Sequence, residues 1–505
     1  PTGSTAPTPT PPTCATPDAR ADRAYDAVVL PGVGTDDRRF WGGGIVAADL
    51  DGDGDLDLVA PGPVAVDLWW NDGHGGFVDG SAALAEVDGA FAAGGAAADV
   101  DADGDLDLVL TRWGGGATLL INDGDGGFAD RGGLPRTADH LQSAAWGDLD
   151  GDGALDLVIA GHGAVVAEAD QVVIPGPGDP TRLWLGDGAG GLIDATDRLD
   201  PRIRDGYSYV VGLARLDADR TLDLVVANDY PTWTPGLAAV HRGDRFVPDA
   251  SLGLTVRAAG MGLALGDVND DGVDDVLQPV WDDLVFRRST GAGQWVDATD
   301  AAGCAVPQHV GGPWIGWGAE FADLDLDGDL DAVVAFGRLD AIADRTAGGG
   351  PTDNDLAQRF GVYLQQPDGG FVESAAALGL DRTGVWRGFV VADLTGDGWP
   401  DLARRDLDGG VVVDLARCGE AHWLQVAPWP PADAVGAEVA LTVDGRTQHR
   451  TVRAGGTSLN AGGPPEVWFG LGAAGAVDGL TVIWPDGGQT ELGPVDVDQR
   501  LIVSR

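Results

Sequence analysis

One nine-residue pattern occurs seven times, and no other feature constrains this chain as tightly. It first reads Asp49, Asp51, Asp53, Asp55 and Asp57 separated by Leu and Gly, and it recurs at 99–107, 148–156, 215–223, 267–275, 323–331 and 393–401. Successive starts lie 50, 49, 67, 52, 56 and 70 residues apart. The seven windows hold 30 of the chain's 72 Asp. Carboxylates at that density repel one another unless a cation neutralises them. Calcium takes about six to eight hard oxygens. Side chains at window positions 1, 3, 5 and 9 supply four, the carbonyl at position 7 adds one, and Gly at position 6 permits the sharp turn.

Six windows carry a full candidate ligand set. They are Asp49, Asp51, Asp53 and Asp57 with the carbonyl of Asp55; Asp99, Asp101, Asp103 and Asp107 with Asp105; and Asp148, Asp150, Asp152 and Asp156 with Ala154. The others are Asp267, Asn269, Asp271 and Asp275 with Val273; Asp323, Asp325, Asp327 and Asp331 with Asp329; and Asp393, Thr395, Asp397 and Asp401 with Trp399. The 215–223 window has Arg215 at position 1 and Arg220 at position 6. It is predicted to be empty, a guanidinium replacing the ion, so about six calcium ions are expected. An EF-hand would need an acid at position 12 and flanking helices. Position 12 is Ala60, and Leu58-Val59-Ala60 reads as a strand.

Each window lies between two β signals, with small apolar residues before it and an LDLVA-like run after it. A third run ends in a Gly-rich turn, as in DLWWNDGHGGF at 67–77, and a short fourth run follows. Four strands per unit, repeated seven times, predict an all-β, seven-bladed β-propeller. The last unit lacks a fourth strand, and Tyr25-Asp26-Ala27-Val28 resembles one. The N-terminal strand is therefore expected to close the ring. Cys14 and Cys418 flank that clasp and are the candidate disulfide, which implies an oxidising compartment.

Composition excludes other classes. All 31 basic residues are Arg, only eight acids are Glu, and 81 Gly and 30 Pro favour turns, so a helical bundle is ruled out. A net charge of −49 opposes nucleic acid as a partner. No apolar run is long enough for a membrane span. Residues 1–20, rich in Pro and Thr, read as an extended linker. The first residue is Pro1 and not Met, as expected if an export signal or anchor was removed or the chain was trimmed. Residues 21–419 form the predicted propeller, and 420–505 a small β-sandwich with hairpin turns at Asp444-Gly445 and Asp486-Gly487.

The windows in their strand context resemble the FG-GAP or VCBS repeats of integrin α-chain propellers. The tail, with HWLQV at 422–426, VWFGLG at 467–472 and VDGLTVIWPDGGQTEL at 477–492, resembles the ASPIC/UnbV domain. It departs from that pattern at Ala421, where Asn usually precedes His-Trp. The pairing resembles the cartilage acidic protein family, and the absence of Lys points to a bacterial member. The resemblance implies an exported, calcium-binding interaction protein and no catalytic set.

Calcium is expected to stiffen the face that carries the windows. The opposite face then carries the ligand-face candidates Trp113, His162, Tyr230, Trp233 and Trp281. Three functions follow from this layout. The first is a secreted or surface-tethered interaction or adhesion module, periplasmic or on the outer surface in a Gram-negative source. The alternatives are a lectin-like glycan binder and an enzyme acting on a sugar or secondary metabolite. The partner is thus an extracellular protein or a glycan. No metalloprotease, nucleophile-elbow or nucleotide-loop motif occurs.

Overall fold

The computed structural model describes residues 25–30 and 42–505, apart from 86, 88–90, 135, 165, 169–170, 174–176, 218, 292, 305, 307–312 and 339–356. Among them, seven antiparallel sheets each contain four strands of the repeat region or its clasp, the third joined by a fifth, Ala454–Gly455, from the tail. The first contains Val46–Ala48, Asp57–Pro61, Val66–Asn71 and Phe77–Asp79. The second contains Ala92–Ala98, Asp107–Arg112, Gly116–Asn122 and Phe128–Asp130. Leu141–Gly147, Asp156–Gly161, Arg182–Gly186 and Leu192–Asp194 build the third, and Ser208–Ala214, Asp223–Asn228, Leu237–Arg242 and Arg245–Pro248 the fourth. Ala264–Gly266, Asp275–Val280, Asp283–Ser289 and Trp295–Asp297 follow, then Gly316–Ala322, Asp331–Phe336, Gly361–Gln365 and Phe371–Glu373. The seventh sheet joins Trp386–Ala392, Asp401–Asp406 and Gly410–Ala416 to Tyr25–Leu30.

The first strand of each sheet is innermost, and the sheets pack in chain order. Gly388, in the last sheet, donates its N–H to Gly43 O at 2.9 Å, beside the first. The fold is a β-propeller. Its inner and second strands are buried on both faces, which explains their continuous small or β-branched composition. The outer strands are short and mostly exposed, so each sheet offers little free edge.

The N-terminal strand completes the seventh sheet with Tyr25 opposite Ala416 and Leu30 opposite Val411. Tyr25 is buried, and Arg417 Nε reaches Asp26 Oδ2 at 2.8 Å. Cys14 lies outside the described residues. Cys418 is disulfide-bonded, whereas Cys304 is a free, buried thiol pushed up to about 12 by burial.

Window position 9 has a role that its place in a metal pattern does not suggest. Asp57 accepts Leu50 N–H at 2.9 Å and Asn71 N–H at 3.0 Å, tying the loop to the third strand. The same pair of bonds recurs at Asp107, Asp156, Asp223, Asp275, Asp331 and Asp401. Neighbouring sheets are stapled at the same level. Asn71 Nδ2 reaches Leu394 O at 2.8 Å, and Asn122 Nδ2 reaches Leu50 O at 2.9 Å.

The tail forms two further sheets. Val467–Gly472, His422–Trp429 and Gln499–Ser504 make one, the last pair parallel. Arg446–Thr451, Glu438–Val443, Gly479–Ile483 and Gln489–Leu492 make the other. Val439, Leu441, Phe469 and Trp484 lie in the core that they share.

This tail is also built into the propeller. Residues 454–463 enter the central channel and meet every sheet. Ala454 and Gly455 pair with Trp146 and Ala145. Ser458 N–H is shared between Leu263 O at 2.8 Å and Ala319 O at 3.0 Å, and Ser458 Oγ accepts Phe389 N–H at 3.4 Å. Asn460 O accepts Gly95 N–H at 3.4 Å, and Asn460 Nδ2 donates to Gln142 Oε1 at 2.5 Å. Gly462 exchanges hydrogen bonds with Ile45 and Ala47. At Gly212 an added Cβ would lie 2.8 Å from Gly456 O.

Candidate metal loops and ligand face

Each window turns between a first and a second strand, so all seven lie at one end of the ring. The position 1 carboxylate organises the turn. Asp49 accepts Gly52 N–H at 2.9 Å and Gly54 N–H at 3.1 Å, Asp148 accepts the equivalent pair, and Asp99, Asp267, Asp323 and Asp393 accept the N–H groups of positions 5 and 6. This cap folds the loop so that its acids converge. In four windows three carboxylates place ligand atoms within 4.8 Å of one another. The sets are Asp49, Asp51 and Asp53; Asp99, Asp101 and Asp107; Asp148, Asp150 and Asp152; and Asp323, Asp325 and Asp331.

Burial and mutual repulsion make these acids weak. Burial, ahead of neighbouring carboxylates, raises Asp49 and Asp99 to about 6 and Asp323 to about 8. Asp57, Asp107 and Asp156 rise to about 7, again mainly through burial. Such groups gain most from a divalent cation, because the ion supplies the charge that burial withholds. Hard oxygens at this spacing suit calcium.

The remaining windows differ in informative ways. Asn269 Oδ1 accepts Asp271 N–H at 3.3 Å, and its amide nitrogen faces Asp271 Oδ2 at the same distance. Thr395 Oγ1 donates to Asp401 Oδ2 at 3.2 Å. At position 7 the side chains point elsewhere. Asp55 abuts the turn at Gly73, where an added Cβ would lie 2.4 Å from its Oδ1, and Asp329 Oδ1 meets Arg446 Nη2 at 2.6 Å.

In the 215–223 window the cation is not the one that the sequence suggests. Arg242, at the end of the third strand, lies 2.6 Å from Asp217 and 3.4 Å from Asp219. Arg215 instead turns towards the tail, with Nη2 2.6 Å from Gly436 O and Nη1 3.5 Å from Glu438. The neutralising guanidinium therefore comes from outside the nine-residue window, which is why the window alone did not reveal it.

The tail also meets acids of three further windows. Gly470 N–H meets Asp323 Oδ2 at 3.1 Å, Gln425 Nε2 meets Asp393 Oδ2 at 3.3 Å, and Arg446 Nε meets Asp270 Oδ2 at 2.5 Å. A cavity of about 170 Å³ remains beneath it, lined in part by Asp267, Glu320, Asp323, Asp393, Arg450 and Trp468. Burial raises Glu320 to about 8.

At the opposite end, three of the five ligand-face candidates come together. The Trp113 and His162 rings are 5.3 Å apart, and His162 and Tyr230 are 6.0 Å apart, with Tyr207 and Tyr209 in the same cluster. His162 is completely buried, its Nε2 3.4 Å from Asp229 Oδ2, so it packs the cluster and presents no surface. Trp233 and Trp281 are exposed, at 54% and 42%. Deeper in the channel, Arg387 lies 4.1 Å from the Trp317 ring centroid. Sequence reasoning missed Arg242, Arg446 and segment 454–463. The one available signal for the last was the run of small residues that precedes each window.

The FG-GAP-like repeat model matches residues 49–110 and 99–159, and the ASPIC and UnbV model matches residues 429–505. The chain carries FG-GAP-like repeats and a C-terminal ASPIC/UnbV domain. The channel segment 454–463 thus belongs to the ASPIC/UnbV part. No curated protein matches the chain. Among solved structures, an Agrocybe aegerita lectin that recognises non-reducing terminal N-acetylglucosamine is 17% identical, with TM-score 0.39; the match covers 74% of this chain and 94% of that one. The BBS1N chain in complex with ARL6DN is 10% identical, with TM-score 0.43 and coverage of 78% and 97%. Rhamnogalacturonan lyase YesW is 15% identical, with TM-score 0.38 and coverage of 78% and 76%. No helix among the described residues is long and apolar enough to cross a membrane.

Proposed function

We propose that this chain is an extracellular interaction module whose FG-GAP loops bind calcium for structural purposes. The observation that carries the reading is the convergence of three carboxylates within 4.8 Å in each of four loops. The 215–223 loop, which has Arg242 against its acids, is the internal contrast. The disulfide at Cys418 supports an oxidising compartment. Partner recognition belongs to the end opposite the loops, because the ASPIC/UnbV domain occupies part of the loop end.

Elemental analysis and calorimetric titration of chelated protein test the calcium reading. Six ions are expected, with a higher melting temperature on loading, since only the folded loops gather the ligands. Absence of binding would end it.

A glycan partner is the second reading, favoured by the exposed Trp233 and Trp281 on the open end. Flat aromatic faces stack on sugar rings. A glycan array with the native chain and a Tyr230→Ala/Trp233→Ala double variant separates the two. Saturable binding lost in the variant favours glycan; a blank array leaves a protein partner, to be sought by pull-down.

A further inference from the structure

Two of the loops that the ASPIC/UnbV domain touches lie under the stretch of chain that leads into the channel segment. Arg446 sits on strand Arg446–Thr451, spanning Asp270 of one loop and Asp329 of the next, at 2.5 and 2.6 Å. Arg453, two residues beyond that strand, pairs with Asp274. Segment 454–463 follows at once and enters the channel. The contacts that grip the loops and the contacts that close the channel are thus consecutive in the sequence.

Two of the loop atoms that the tail touches are position 1 oxygens, which an ion would organise. Asp323 Oδ2 accepts Gly328 N–H from its own loop at 2.9 Å and Gly470 N–H from the tail at 3.1 Å. Asp393 Oδ2 likewise accepts Gly398 N–H at 2.8 Å and Gln425 Nε2 at 3.3 Å. A cation neutralises the neighbouring carboxylates of such a loop and so favours the arrangement in which these acceptors sit. With a cation, the acceptors stay where the tail reads them.

We propose that the ASPIC/UnbV domain is an ion-controlled stopper. Cation loading of loops 267–275, 323–331 and 393–401 holds segment 454–463 in the channel, and loss of those ions releases it. The ions bind the docked form better than the released form, and that difference alone shifts the equilibrium. This inference rests on the calcium reading above.

Amide hydrogen exchange of residues 454–463 in the full chain tests it, alongside an ion count. Chelation is expected to speed exchange there by about tenfold or more as the segment opens locally. At saturating calcium, Asp325→Asn should free the segment, whereas Asp53→Asn should lose one ion and leave it protected. Arg446→Gln should free the segment with the ion count unchanged, which separates docking from ion binding and from general misfolding. If the native chain binds no ion, the calcium reading fails and the stopper fails with it. If ions bind and leave on chelation while exchange stays the same, the stopper alone is overturned. Equal exchange in the two Asp variants overturns it as well.

Discussion

Arg242 Nη1 lies 2.6 Å from Asp217 Oδ2, so a side chain supplies the positive charge inside the 215–223 loop. That relationship makes the loop convertible. Arg215→Asp with Arg242→Ala restores a position 1 carboxylate and removes the competing cation. The double variant is expected to bind one more calcium than the parent. An unchanged ion count by elemental analysis would overturn the proposal that Arg242 excludes an ion from this loop.

Stability should depend on pH with a sign set by the buried acids. Burial raises Asp57, Asp107 and Asp223 to about 7 and Asp275 and Asp323 to about 8, against an unfolded value of about 3.9. Between those values the folded state holds protons that the unfolded state has released. The ion-free chain is therefore most favoured below about pH 4 by this term, and loses that contribution as pH rises through about 7 to 8. Calcium requires deprotonated ligands, so its own stabilisation should grow over the same range. Denaturant midpoints at pH 5 and 8, with chelator and with calcium, should diverge. Midpoints in chelator that do not fall with pH contradict the assignment.

The position 9 acids should matter with or without an ion. Asp57→Ala orphans the N–H groups of Leu50 and Asn71, and Asp223→Ala those of Leu216 and His241. Each orphaned buried donor costs roughly 1–3 kcal/mol. Both variants should therefore be destabilised in urea, although the 215–223 loop is proposed to take no ion. A neutral Asp223→Ala would reduce position 9 to a metal ligand.

The channel segment can be tested by adding one methyl group. A Cβ on Gly44 would lie 1.9 Å from Asn460 O, whereas one on Gly475 meets nothing within 4 Å. Gly44→Ala should cost about 1–3 kcal/mol through forced displacement, and Gly475→Ala close to nothing. Equal melting temperatures for the two variants would mean that segment 454–463 does not sit where its carbonyl meets Gly44.

The repeat was legible because its chemistry is local. Nine residues contain both the turn and the carboxylates, and the alternation of apolar runs around them marks the strands. Tyr25-Asp26-Ala27-Val28 was recognisable as a missing fourth strand because it repeats the pattern of Phe77-Val78-Asp79. The channel segment was not legible because its binding information is distributed. Gly44, Gly94, Gly318 and Gly388 are small since Asn460, Ser458 and Leu459 arrive against them from a distant part of the chain. Single residues in separate sheets carry no local periodicity. Arg242 escaped for the same reason, acting on Asp217 from another strand. Among the ligand-face residues, position could place Trp113, His162 and Tyr230 on one end, but only packing revealed that His162 is interior.

The clasp strand 25–30 finds its partner at 411–416, so almost the whole propeller separates two strands that must meet. The entropy of closing so long a loop has to be met before that pairing returns any energy. Neighbouring sheets can form from short-range contacts as the chain proceeds. Joining the two ends is the slow, non-local step, and threading of 454–463 needs residues later still. This places ring closure after the assembly of the neighbouring sheets, making the clasp inside sheet seven and the channel segment the last parts of the molecule to mature.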